Sequence, residues 1–385
     1  MIVGFLKETF PGELRVALVP SVIPNLKKAG YSILMESGAG ERAGFPDADY
    51  QDKGAQVSPN REEVFAQADI LVFVRWYSGA TLGESDTNCL RKGQIVVGHL
   101  NPAEHKDDIS KMAEKGVTAF ALELLPRITR AQSMDVLSSM ATVAGYKAVL
   151  LAASTLPKMF PLLMTAAGTI SPARVLVIGA GVAGLQAIAT AKRLGAAVQA
   201  YDIRPAVKEQ VESLGAKFVE LPLEASGTET TSGYAREMDE GFYKRQRELM
   251  TRIVAESDVV ISTAAVPGKR APVLITADMV RSMRSGSVIV DLAAAQGGNC
   301  ELTKPGQTIT LENVTIVGPS NLAATIPYDA SQMYARNITN FLLHLVGEDS
   351  KLRLDADDQI IKETMVIRGD KSPVGSPVSS SPPRQ

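Results

Sequence analysis

The sequence predicts an α/β protein of two domains, each built on a parallel sheet, with a long helical stretch joining them. Three features of the 385 residues carry that prediction. Short apolar runs alternate with amphipathic segments along most of the chain, which is the rhythm of βαβ units. One run, Val175–Ile178, is apolar without interruption, as a strand buried on both faces must be, and it leads directly into Gly179-Ala-Gly-Val-Ala-Gly184. Residues 131–156 place apolar side chains at 134, 137, 140, 141, 144, 148 and 151, so one long helix is expected there.

Taken in order, the first domain offers strands at Ile2–Phe5, Ser32–Glu36, Ile70–Val74, Ile95–Val97 and Val117–Ala121, with helices such as 22–29 and 109–115 between them. Gly38-Ala-Gly40 follows a strand but lacks a third spaced glycine and a later acid, so it reads as a turn. Pro126 breaks the pattern before the long helix, and Gly168 and Pro172 mark the hand-over to the second domain. That domain continues with strands at 197–201, 217–221, 258–263, 287–292 and 314–317, and helices over 206–214, 242–256 and 276–284. Six parallel strands with right-handed crossovers should take the order 3-2-1-4-5-6. A helix over 331–345 returns to the first domain, and a small hairpin is expected across 352–354 and 360–367. The Pro/Ser/Gly-rich end, 371–385, should be disordered. The expected domains are 1–130 with 328–370, then 131–327.

The glycines have separate physical jobs. Gly179 makes the tight turn after the strand, Gly181 lets the backbone approach a pyrophosphate, and Gly184 lets the following helix pack closely. The helix from Val182 presents its N-terminal N–H groups and positive dipole end to phosphate. Asp202 ends the second strand, about 20 residues beyond Gly179, where a carboxylate accepts ribose hydroxyls and repels a 2′-phosphate. Strand, turn, helix, strand and acid in that order indicate a dinucleotide site that favours NAD(H) over NADP(H). Arg204 points the other way, since an arginine there accommodates a 2′-phosphate. The fold class is therefore α/β, with two Rossmann-like domains on parallel sheets joined by long interdomain helices.

Composition narrows the rest. Hydrophobic residues make up 45% and charged residues 21%, as in an ordinary soluble globular protein, and a net charge of −2 gives no electrostatic case for nucleic acid. Cys89 and Cys300 form neither a metal spacing nor a disulfide framework, which suits a reducing cytoplasm. The N-terminus lacks the pattern of a signal peptide, and no window resembles a membrane span: the longest candidate, 141–156, is interrupted by Thr142, Gly145 and Lys147. No metal spacing and no Ser-His-Asp order occur; of the histidines, only His99 stands at the carboxyl end of a strand, where active sites collect.

Two further stretches are polar where function is expected. Arg127-Ile-Thr-Arg-Ala-Gln-Ser-Met-Asp135 is dense in polar groups, and Gln132, Asp135 and Ser138 lie three apart on one helical face or its preceding turn. Such a face can hold a nicotinamide and its ribose; helix capping and a solvated ion pair account for it equally well. Residues 224–239 form a long glycine- and threonine-rich segment around Tyr234, read as a mobile loop near the site or as an ordinary surface insertion.

Several stretches go beyond a generic dinucleotide fold. Pro126-Arg-Ile-Thr-Arg-Ala-Gln-Ser-Met-Asp-Val-Leu-Ser-Ser-Met, Gly145-Tyr-Lys-Ala, Met164-Thr-Ala-Ala-Gly-Thr, Gly179-Ala-Gly-Val-Ala-Gly-Leu-Gln-Ala, Pro267-Gly-Lys-Arg-Ala-Pro-Val-Leu-Ile-Thr and Gly297-Gly-Asn-Cys-Glu resemble the NAD(H)-binding component of proton-translocating transhydrogenases. Lys7-Glu-x-x-x-Gly-Glu-x-Arg-Val is shared with the related alanine dehydrogenases. The resemblance implies that Arg127, Gln132, Asp135 and Ser138 orient the dihydronicotinamide, with Gln132, Arg127 and Asp135 serving catalysis by position. It implies Gly179, Ala180, Gly181 and Val182 on the pyrophosphate, with Gly184 behind them, and Asp202, Ile203 and Arg204 at the adenosine ribose. Gly233 and Tyr234 would belong to a closing loop, and Ala264 and Ala265 would complete the cofactor site; no metal is implied.

It further implies an Si/Re-specific hydride transfer from NADH to NADP⁺ held by a separate subunit, and a membrane-embedded proton-channel subunit as second partner. A homodimer, peripheral on the inner face of the cell membrane, is implied as well. The alternatives are an alanine dehydrogenase-like oxidoreductase and a non-catalytic NAD(H)-binding subunit. Arg15 and His99 resemble residues of the alanine dehydrogenase pocket. However, its lysine position holds Arg75, and the aspartate expected before Gln-Gly-Gly is Ala295, so that chemistry lacks its proton carriers. The Phe73–Tyr77 stretch departs from the family pattern, and no role is carried over there.

Overall fold

The computed structural model describes residues 1–77, 86–222, 238–265, 270–346, 352–354 and 357–369. Gly233 and Tyr234, with most of their polar segment, and the 371–385 tail lie outside the described residues. The chain divides into two units, Met1–Met140 with Ala324–Gln385, and Ala141–Ala323. The first division falls later than the boundary at 130/131 suggested by sequence, and the second slightly earlier than 327/328.

In the first unit, β1 (Ile2–Phe5), β2 (Ser32–Glu36), β3 (Gln56–Ser58), β4 (Ile70–Arg75), β5 (Ile95–His99) and β6 (Thr118–Ala121) form a parallel sheet in the order 3-2-1-4-5-6. The first strands of the second unit form a separate two-stranded hairpin, β7 (Leu163–Thr165) and β8 (Gly168–Ile170). Its main sheet comprises β9 (Arg174–Ile178), β10 (Ala197–Tyr201), β11 (Lys217–Phe218), β12 (Val259–Ser262), β13 (Val288–Asp291), β14 (Gln307–Leu311) and β15 (Val314–Gly318), in the order β11-β10-β9-β12-β13-β15-β14. Its six parallel strands therefore repeat the order 3-2-1-4-5-6, and β14 adds an antiparallel edge. The first sheet is completed in the same way by β16 (Met365–Ile367), antiparallel beside β6.

The continuous apolar strands explain this layering. Along β4, Ile70, Val72 and Val74 enter one buried cluster while Leu71 and Phe73 enter another. Along β9, Val175 and Val177 face one cluster and Leu176 and Ile178 the other. Alternating side chains on a pleated strand fill both faces of a sheet, so both must be apolar. Each such burial is worth about 1.5–3 kcal/mol, and a charge at Val177 would forfeit that and leave an unpaired ion in the core.

Three expectations need correction. The stretch 131–156 is not one helix: a 3₁₀ turn over Thr129–Met134 is followed by α1 (Val136–Thr155). Asp135 breaks the run because its carboxylate accepts from the Ser138 N–H (2.9 Å) and hydroxyl (2.6 Å), which is the act of an N-cap. The 352–367 region is not a hairpin: Leu352 bridges Val346, a helix covers Gln359–Thr364, and β16 then joins the first sheet. Finally, α1 is long and apolar enough to cross a membrane by length and composition, because its lone Lys147 is diluted over 20 residues. Ala148, Val149 and Ala152 on this helix are fully buried in the second unit's core. The strands β3, β7, β8 and β14 were not foreseen, being short or polar on exposed faces.

Candidate functional site

In the second unit the site is built where the strand order reverses, at the carboxyl ends of β9 and its neighbours β10 and β12. Gly179 turns the chain at φ +94°, a conformation that costs a side-chain-bearing residue dearly. Its N–H donates to Tyr201 O (2.8 Å), and a Cβ there would stand 2.6 Å from Thr263 Oγ1. Around Gly181, by contrast, an added Cβ meets nothing within 4 Å. The helix α2 (Val182–Arg193) starts at this open point, where first-turn N–H groups lack intrahelical partners. Behind it, a Cβ on Gly184 would fall 1.8 Å from Gly179 O, so helix and turn touch backbone to backbone. Gly145 of α1 packs likewise: its Cβ would lie 2.1 Å from Ala183 O. An open glycine at a helix start, wedged between two that must stay bare, is a cradle of the shape a pyrophosphate needs.

Asp202, nearly buried at the end of β10, accepts four hydrogen bonds. Ala180 N–H reaches Oδ2 at 2.7 Å; Arg204 N–H and Nε reach Oδ1 at 2.9 Å each, and Arg204 Nη2 reaches Oδ2 at 2.8 Å. Gly179 and Ala180 thus use their N–H groups inside the protein, while Gly181 and Val182 stand at the open part of the turn. Ile203 packs partly buried against the core. On the β12 side, Thr263 Oγ1 donates to Gly179 O (3.1 Å). Ala264 is half-buried and Ala265 exposed beside the glycine turn.

Gln132, Asp135 and Ser138 lie in the first unit, on the 3₁₀ turn, at its end and in the first turn of α1, and Arg127 lies two residues before the 3₁₀ turn. Arg127 and Gln132 are exposed; Asp135 and Ser138 bond to each other as described. The turn is fixed from below by Ala131 and Met134, both buried. Ser133 O also accepts from Asn337 Nδ2 (2.8 Å) and Asn340 Nδ2 (3.0 Å) of α3 (Pro327–His344). The structure therefore gathers the expected residues into two sets, one in each unit.

The first unit also holds a buried charged cluster that sequence reasoning resolved only in part. Glu8 accepts from Val74 N (2.7 Å) and Arg75 N (3.1 Å); burial, with the nearby Glu13 charge, pushes its carboxyl up to about 8. Arg15 forks onto Glu13 at 2.7 and 2.6 Å. The Arg75 guanidinium lies over the Phe10 ring, 3.8 Å from its centre. Burial lowers the His99 pKa, against the pull of Glu123 at 3.9 Å. Ala295 sits exposed in a short 3₁₀ turn after β13. Among the described residues no group of His, Cys, Asp and Glu is arranged to hold a metal ion. Glu8, which bonds to Val74, and Asn299, which bonds to Ala264, are placed by partners distant in sequence and carry no local signal.

Fold and glycine cradle together define a dinucleotide-binding protein of the two-domain dehydrogenase type. The family model for the alanine dehydrogenase/PNT N-terminal domain matches residues 4–144, and that for the C-terminal domain matches 148–372; the chain belongs to this family. It is 45% identical over 370 residues to the first part of the NAD(P) transhydrogenase alpha subunit of Rhodospirillum rubrum, covering 96% of each chain. It is 30% identical to the alanine dehydrogenase of Mycobacterium tuberculosis, over 90% of this chain and 87% of that one. The crystal structure of transhydrogenase from Sinorhizobium meliloti superposes with a TM-score of 0.86 at 42% identity, covering 97% of this chain and all of that one. The chain is thus a homologue of transhydrogenase alpha subunits, an oxidoreductase lineage, and its cofactor is NAD(H).

Proposed function

We propose that this chain is the NAD(H)-binding component of a proton-translocating transhydrogenase, and that it delivers hydride to NADP⁺ on a separate NADP(H)-binding subunit. The observation that carries the reading is chemical. After β13 the loop beside the dinucleotide cradle reads Ala293-Ala294-Ala295, and the Arg75 guanidinium lies over the Phe10 ring. An amino-acid dehydrogenase needs proton carriers at such positions, whereas hydride passing between two nicotinamide rings needs none. NADH, when bound, supplies the hydride from C4 of its ring.

The protein's contribution is positioning. Gly181 and Val182 receive the pyrophosphate, Asp202 the adenosine ribose, and Ala264 and Ala265 flank the other half. Exposed Gln132 sets the ring, Arg127 helps to hold it, and Asp135 and Ser138 brace the turn. Alignment and exclusion of water then lower the barrier. The chain would act as a homodimer on a membrane-embedded proton-channel subunit, at the inner face of the cell membrane. The exposed apolar residues in and beside the β7–β8 hairpin, Met159, Leu162, Met164 and Ile170, suit a protein partner there.

The test is calorimetric titration of the purified chain with NADH and NADPH, followed by assay for pyruvate reduction with ammonia. Tight NADH, weak NADPH and no pyruvate turnover are expected. Pyruvate turnover would hand the reading to alanine dehydrogenase chemistry.

A further inference from the structure

The segment after β12 is clamped from behind by one side chain that no role so far includes. Asn299 is fully buried. Its Oδ1 accepts from Ala264 N–H (3.0 Å), and its Nδ2 donates to Ala264 O (2.7 Å) and Pro272 O (2.9 Å). The amide thus pairs with both backbone groups of Ala264, as a neighbouring strand would. Asn299 is itself immobilised: its N–H donates to Asp291 Oδ2 (2.7 Å), and its carbonyl accepts from Leu274 N (2.8 Å) and Ile275 N (3.0 Å). Asp291, at the end of β13 and fully buried, also accepts from Ser262 Oγ, Ala293 N, Cys300 N and Thr303 Oγ1 between 2.7 and 3.1 Å. Thr263 ties the front of the segment to Gly179 O.

We infer that Asn299, anchored by Asp291, is a positioning residue for the nicotinamide half of the cofactor. The inference rests on the dinucleotide reading of the cradle. Strand order gives the direction: Asp202 stands at the end of β10, Ala264 just beyond β12, and the glycine turn of β9 lies between them. A dinucleotide laid across that crevice has its adenosine on the β10 side and its other half on the β12 side. Asn299 therefore governs only the second half. Removing its amide leaves the Ala264 N–H and C=O without partners, and the segment must shift to find new ones.

The experiment compares NADH with ADP-ribose, which lacks the nicotinamide, by calorimetry on the full chain, with melting temperatures recorded alongside. Asn299→Ala is expected to weaken NADH by about tenfold or more and to leave ADP-ribose within about twofold. Asn299→Ser, which keeps an acceptor for the Ala264 N–H, should fall between and serves if the alanine variant does not fold. Equal losses for both ligands would mean a general loosening and would overturn the role, as would no loss for either. Wild-type chain that binds neither ligand would instead overturn the dinucleotide reading beneath it.

Discussion

Arg204 closes a two-nitrogen fork on the carboxylate of Asp202, two residues before it, with Nε and Nη2 at 2.9 and 2.8 Å from separate oxygens. The arginine that could welcome a 2′-phosphate is therefore turned onto the acid that repels one. With the Arg204 and Ala180 N–H groups also bonded there, all four acceptor positions of the carboxylate are in use. Ribose hydroxyls can reach Asp202 only by sharing or displacing the arginine.

Asp202→Asn should therefore act twice. It removes the charged acceptor, weakening NADH by roughly tenfold or more, and it frees Arg204 for a 2′-phosphate. Calorimetry with both nucleotides should show the NADPH-to-NADH preference rising. An unchanged ratio would mean that the discriminating acid lies elsewhere.

Gly181→Ala and Gly184→Ala should separate binding from stability. The methyl at 181 enters open space at an ordinary φ of −76°, so the melting temperature should hold while NADH affinity drops. At 184 the methyl meets backbone, and a cost of roughly 3 kcal/mol predicts a fall of roughly 5–10 °C. Scanning calorimetry and NADH titration on both variants check the pair.

Gln132→Asn shortens an exposed side chain whose proposed task is alignment. Stopped-flow reduction of NADP⁺, with the partner subunit supplied, should slow by about tenfold or more while NADH affinity changes little. Equal losses in both would remove the positioning role.

Glu8 gives the stability a pH signature. Its native pKa, about 8, lies above the ordinary value of 4.5, so between these values the folded state holds a proton that the unfolded chain has released. Its contribution is complete below 4.5 and is lost as pH rises through 8. Glu8→Gln keeps a neutral group there, so urea midpoints should fall less steeply over that window than in the wild type. Parallel slopes would place the carboxyl's titration elsewhere.

The exposed apolar hairpin offers a test of assembly. Met164 is 80% exposed and Leu162 53%. Paired Leu162→Glu and Met164→Glu substitutions should shift sedimentation toward monomer without lowering the melting temperature of the second unit. A wild-type chain that sediments as a monomer would rule out the dimer.

Much of the architecture was legible because buried parallel strands are apolar on both faces and leave uninterrupted runs such as Val175–Ile178. The glycine turn and Asp202 were legible because their spacing is local. Less so were β14, whose residues from Gln307 to Leu311 are largely exposed and alternate weakly, and β3, with three residues. Asp135 misled the helix assignment because its acidic side chain fits helical spacing while capping the helix that follows. The clamp of Asn299 on Ala264 and the burial of Glu8 arise from partners 35 and more residues away, which no periodicity reports.

The first unit finishes its sheet with a strand from the far end of the chain. Val16 N–H donates to Ser331 Oγ, and Tyr31 hydroxyl to Leu342 O, across more than 300 residues. During synthesis the second unit, begun later, has all of its strands first. Until β16 emerges, the nascent first unit holds β6 as a bare edge with unpaired backbone groups, the kind of template on which strands of other chains add. Order of translation and order of completion are thus inverted, and this half of the protein is the one that needs shielding while it is made.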